Sequence, residues 1–265
     1  MDEKTLSNAM KCPTRRACFG GVLLASCAAL IPALSARSAP ESALSIWVSR
    51  QLGLGADVSD PVAAARRAME EPFEDTPSMT VRVGSERVTK QVHNCRELLA
   101  DASNIVGAPS DEEYRVLGFT AARCRALSFL SEASPAQESF VGDFRLDEKN
   151  LRYLPPRLAL SVSPDELERE RKVEREHGNI LDFDPDLKLV PTERKPDTAQ
   201  LEAPSWRATL TVYARADFTH KGLGEILLRR DGATRGGTYA LSSIFVLGRT
   251  KPDSLLSIVW PPPPR

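Results

Sequence analysis

The chain is poor in the residue types that most often carry chemistry. Its 265 residues include only three histidines (His93, His177 and His220), too few and too scattered to assemble a catalytic triad. There is no Gly-x-Ser-x-Gly elbow, no His-Glu-x-x-His, no Cys-x-x-Cys and no phosphate-binding loop. Gly53-Leu54-Gly55 and Gly222-Leu223-Gly224 each lack the later glycine that a dinucleotide loop requires. Basic excess is also missing, since the net charge is −1. The segment before Arg37 carries Lys4, Lys11, Arg15 and Arg16 against Asp2 and Glu3, so the remainder is about −3. Binding to nucleic-acid phosphates needs a basic face, and that class of partner is excluded. Aromatic residues make up only 6%, so a core must rest on Leu, Val, Ile and Ala.

What is present is an ordinary soluble composition, 42% apolar and 27% charged, enough for one large domain or two small ones. Twenty prolines against fifteen glycines imply long extended connections.

The head of the chain reads as an export signal. Arg15 and Arg16 precede an apolar stretch that meets no further charge until Arg37, and Pro32 to Ala36 supplies a helix break and small residues. The apolar part partitions into a bilayer while the arginines stay on the cytoplasmic side. Met10 is a plausible start, because Asp2 and Glu3 fit poorly at the head of a signal. Residues 1–36 are therefore expected to be a signal peptide or a membrane anchor, which places the protein in the periplasm, in the medium or on a bacterial membrane. Leu24-Ala25-Ser26-Cys27 resembles a bacterial lipobox, a resemblance that implies lipidation of Cys27. Thr14-Arg15-Arg16 weakly resembles a twin-arginine signal. Cleavage, lipidation and retention as an anchor all remain open.

Cys12, Cys18 and Cys27 fall within or before that apolar stretch, leaving Cys95 and Cys124 in the body. An even pair in an oxidising compartment is suited to one disulfide. The competing reading is a nucleophilic Cys95 at a helix N-terminus, with His93 close by.

Along the body, residues 41–54 carry apolar positions at helical spacing, ended by Gly53 and Gly55. Asp60-Pro61 opens a short helix over 62–71. Residues 80–89 alternate like a hairpin. Asn94 with Glu97, Ser110 with Glu113, and Ser163 with Glu166 each form a helix-capping pattern. In the second of these helices Tyr114, Leu117, Ala121 and Cys124 share a stripe. Residues 184–204 are rich in proline and charge and read as a linker. Stretches 206–216, 225–229, 238–247 and 255–260 read as strands with short connections, an antiparallel meander over 205–260. A polyproline tail closes the chain at 261–265. The fold class is α+β: a mainly helical region over 41–183, then a small antiparallel meander.

One segment carries a metal-type pattern. Ala216-Asp217-Phe218-Thr219-His220-Lys221-Gly222-Leu223-Gly224-Glu225 and the residues to Leu228 resemble the calcium loop of FG-GAP or VCBS-type repeats. The resemblance implies a calcium ion held by Asp217, Thr219 and Glu225 around a turn at Gly222. Lys221 departs from the pattern, placing an ammonium at a ligand position, so a degenerate loop that keeps its shape without the metal is expected, and no cofactor. Asp182, Asp184 and Asp186 alternate on what reads as an extended loop, a second conceivable cation site.

Together these features favour a non-catalytic binding or accessory protein of the bacterial envelope, acting on a protein or an envelope component. His220 to Gly224 is its expected contact loop. An envelope hydrolase with dispersed acids and a structural lipoprotein tethered through Cys27 are the alternatives. An enzyme predicts a pocket of converging titratable groups, whereas a binding module predicts an exposed apolar patch or a free sheet edge.

Overall fold

The structure, a computed structural model, describes residues 44–55, 58–73, 78–192, 195 and 197–262. Cys27, the lipobox, the rest of the export segment and the last three residues of the tail lie outside the described residues.

In chain order the elements are β1 (Trp47–Val48), α1 (Pro61–Glu70), β2 (Met79–Val83), β3 (Val88–Val92), α2 (Cys95–Ala100), β4 (Ile105–Gly107) and α3 (Asp111–Glu132). Then come α4 (Pro164–Arg175), α5 (Ile180–Phe183), β5 (Lys188–Pro191), β6 (Thr198–Glu202), β7 (Trp206–Ala216), β8 (Glu225–Thr234), β9 (Ala240–Gly248) and β10 (Ser257–Trp260). This is an α+β protein with antiparallel sheets. The main sheet has the order β10-β9-β8-β7-β6-β5, with β1 pairing the end of β7. A second sheet has the order β3-β2-β4.

Local chemistry starts the helices where the sequence says it should. Asp60 accepts from the Ala63 N–H with Pro61 at the first helical position. Asn94, Ser110 and Ser163 accept from the N–H groups of Glu97, Glu113 and Glu166. In α4 Glu166 also reaches back to the Ser163 N–H, closing the box.

Three expectations are corrected. From Leu44 on, the stretch expected to be helical is a bridge, strand β1 and a 3-10 turn at Arg50–Leu52. Pairing of Trp47 and Val48 with Arg215 and Ala214 outweighs their helical spacing. The expected linker supplies β5 and β6, because Leu189, Ala199 and Leu201 alternate inward and are buried as β5 pairs β6 and β6 pairs β7. The region 41–183 interleaves its helices with the small sheet and with a long connection over 133–163, the strap, which holds two 3-10 turns, so helix is not its only regular structure.

The main sheet is covered on both faces. One face packs on the strap and on α5 through Phe144, Leu158, Ile180 and Phe183. The other packs on α3 and its neighbours through Leu98, Leu127, Leu130 and Val246. Successive residues of β8 serve the two sides in turn: Leu227 belongs to the helical core and Leu228 to the strap core, both fully buried. Among the described residues no helix is long and apolar enough to cross a membrane.

Candidate functional site

The calcium-like loop is built from its own hydrogen bonds. Asp217, 3% exposed, accepts from the backbone N–H of Thr219, Lys221 and Gly222. Glu225, equally buried, accepts from the Phe218 N–H and from the Thr219 hydroxyl at 2.6 Å. Burial pushes the Glu225 carboxyl above its usual range, while those two donors pull the other way. The residues quoted for calcium are therefore brought together, but their oxygens face N–H and O–H donors. Among the described residues no group of three or more His, Cys, Asp or Glu side chains is placed to hold a metal ion.

The loop is also clamped from outside. Gly222 C=O accepts from the N–H groups of Gln137 and Glu138, Gly224 N–H donates to Glu138 C=O, and Asp217 and Ser134 exchange both backbone bonds. Gly222 holds φ +76°, and a Cβ at Gly224 would lie 2.5 Å from Ser139 Oγ. Of the expected contact segment only His220 and Lys221 stay exposed. Asp182 lies inside α5 and accepts from the Asn179 N–H, so the three aspartates do not share one extended loop. Cys95 is bonded to Cys124, with Cα atoms 5.0 Å apart, which leaves no thiolate for nucleophilic work.

A different feature emerges on the helical side of the main sheet. The C-terminal half of α3 packs down through Ala126, Leu127 and Leu130, but the N-terminal half leaves Tyr114, Val116 and Phe119 about half exposed. Between that half and the sheet runs an open groove of about 1610 Å³. Its sheet wall includes a polar row, Gln200, Thr209, Asp231 and Ser242, aligned across β6, β7, β8 and β9 by strand register. Its helix wall is mostly apolar, with Leu117, Gly118 and Phe119. Gly118 is unusual there, because a Cβ would meet nothing within 4 Å. A mid-helix glycine costs about 1 kcal/mol against alanine, and no packing requires this one.

Arg229 ties the two walls together. Its guanidinium donates to Asp231 at 2.7 and 2.8 Å and to the Tyr213 hydroxyl at 2.7 Å, and it lies 3.7 Å from the Phe119 ring centroid. Asp231 Oδ1 also accepts from Ser242. Burial pushes the Tyr213 phenol upward, partly offset by Arg229. With Arg229 and Asp231 paired, the remaining charged lining is Arg115, Arg125 and Arg207 against Asp111, a positive groove in a chain of net charge −1.

The opposite face holds a second polar cluster of a different kind. Arg230 donates to the carbonyls of Arg157 and Ala159, and Glu170 accepts from Ser161 at 2.5 Å. Burial pushes Arg230 down to about 10 and Glu170 upward. This cluster pins α4 and the strap to β8. No family model matches the chain, and comparison with curated proteins and with solved structures found no match.

The groove could not be read from sequence because its walls come from segments roughly a hundred residues apart. The available hint was the stripe of α3: Tyr114 lies on the expected inner face yet is 56% exposed, with no core beneath it.

Proposed function

We propose that this is a non-catalytic binding or accessory protein of the bacterial envelope, and that the groove between α3 and the main sheet is its contact surface. The observation that carries the reading is the half-exposed apolar wall of α3 standing over a polar, positively lined sheet. Small-molecule sites are usually about 300–1,000 Å³. A groove of about 1610 Å³ accommodates a segment of a macromolecule better. A catalytic reading has less support, because the carboxylate–serine pair that lines the groove, Asp231 with Ser242, is already engaged by the Arg229 guanidinium. The resemblance of 216–228 to a calcium loop is one of shape, with hydrogen bonds in the role of the ion. The export pattern of residues 1–36 and the Cys95–Cys124 bond support an oxidising compartment, whether periplasmic, secreted or lipid-anchored. Mass measurement of the mature N-terminus in the parent and in Cys27→Ser separates lipidation from ordinary cleavage.

The groove is tested with a photo-crosslinking amino acid in place of Tyr114 or Tyr239, both exposed and both lining it, and with a control at Leu167 on α4. Adducts are expected from the first two positions and not from the third. Gly118→Leu fills open space on the helix wall, so it should erase the adducts without lowering the melting temperature. Equal labelling at all three positions, or adducts untouched by Gly118→Leu, would refute the groove as the contact surface.

A further inference from the structure

Beside the groove, the main sheet is incomplete. β10 pairs β9 only at Val246, Leu247 and Gly248, and a register shift lies between Ile258 and Trp260. Past Trp260 the chain leaves the ladder at Pro261, whose carbonyl is held by Arg157. Among the described residues, the first half of β9, from Ala240 to Phe245, therefore has β8 on one side and no strand on the other.

The unused backbone groups can be identified. Thr234 N–H donates to Tyr239 C=O, which fixes the phase of the β8–β9 ladder. Antiparallel pairs alternate, so Leu241, Ser243 and Phe245 turn their N–H and C=O groups toward β8. Those of Ala240, Ser242 and Ile244 turn outward.

Free edges are usually blunted by charge, proline or bulges. The far edge of the sheet, β5, carries Lys188 and Pro191, and β3 of the small sheet carries Lys90. The run Ala240-Leu241-Ser242-Ser243-Ile244 carries neither a charge nor a proline. All five of these residues also line the groove.

We infer that the groove takes an extended acidic peptide of a partner protein, which adds as a strand to the free edge of β9 in line with β10. This rests on the groove being the contact surface. A strand edge presents donors and acceptors at a repeat that another peptide backbone matches and a lipid or glycan does not. Side chains on the groove side of the added strand meet the surplus of Arg115, Arg125 and Arg207 over Asp111, which selects acidic residues.

The test uses the full chain and fluorescein-labelled octapeptides read by anisotropy. An alternating Glu–Val octapeptide is expected to bind, more weakly as salt rises. An alternating Lys–Val octapeptide, and the Glu–Val peptide with alternate amides N-methylated, are expected to bind at least about tenfold more weakly, a loss of about 1.4 kcal/mol or more. Ser242→Pro removes an outward N–H, which edge positions tolerate, and should abolish binding. The pair Arg115→Glu with Arg125→Glu should reverse the preference toward the Lys–Val peptide, and it leaves the residues of β9 unchanged. Indifference to N-methylation, or no binding of any peptide, overturns strand addition. So does a dimer in sedimentation that Ser242→Pro dissolves, because a second copy would then close the edge. If Tyr114 crosslinks persist while the peptides fail, the groove stands and only the strand partner falls.

Discussion

Asp217 and Glu170 show how burial decides what a carboxylate does. Asp217 is tied to three backbone N–H groups, each bond to a charged acceptor being worth about 1.5–3 kcal/mol net. Asp217→Ala is expected to lower stability by about 3 kcal/mol or more in urea unfolding, less than the full sum of three bonds because water reaches some of the freed N–H groups. Added calcium should leave the melting temperature of the parent unchanged, because the loop's own donors already hold these oxygens. A calcium-dependent rise would restore the metal reading. Glu170 behaves differently. Burial raises its folded-state pKa, although Ser161 and Arg230 pull it down. The folded protein thus holds this proton more tightly than the unfolded chain. The resulting stabilisation is present in full below the unfolded value of 4.5 and is lost as pH rises through the folded value. Glu170→Gln, which does not titrate, should gain stability relative to the parent between about pH 4 and neutrality, as measured by urea unfolding across that range. A flat difference would show that the Ser161 hydrogen bond and the charge of Arg230 offset the burial.

At the scale of elements, sequence logic worked where a structure is decided within a few residues. The caps at Asp60, Asn94, Ser110 and Ser163 lie where their side chains were expected to meet N–H groups. It failed at residues 44–54, where apolar spacing pointed to a helix and the pairing of β1 with β7 won. It failed again at β5 and β6, whose prolines and charges masked an inward alternation. The stop of α4 is a subtler case. His177 takes the left-handed conformation at φ 58°, while Gly178 is needed because a Cβ would lie 2.6 Å from Val173. Helices α2 and α3 are joined through Cys95 and Cys124, 29 positions apart. Replacing both with serine is expected to cost about 2–4 kcal/mol of unfolding free energy, mainly by freeing the unfolded chain. A loss below about 1 kcal/mol would mean that the packing of α3 already restrains the unfolded ensemble there.

At the scale of the whole molecule, a sheet expected to be a small meander is a larger one covered on both sides except along the groove. Its two cores make opposite demands on adjacent residues. Leu227→Ala and Leu228→Ala should each cost about 2–5 kcal/mol in chemical unfolding, although their side chains point in opposite directions. A mild effect at either position would mean that one face is open to water. By itself the sequence determined the α+β class, the capped helix starts, the strands of 206–260 and the pair of cysteines suited to a bridge. Each depends on a period, a cap or a count that short-range chemistry settles. Tertiary structure alone decided that 188–202 joins the sheet, that 134–139 clamps the calcium-like loop, and that half of α3 overhangs a groove beside an edge of β9 that is unpaired among the described residues. Those outcomes depend on which backbone groups and which faces find partners across the fold. A local pattern carries no record of that.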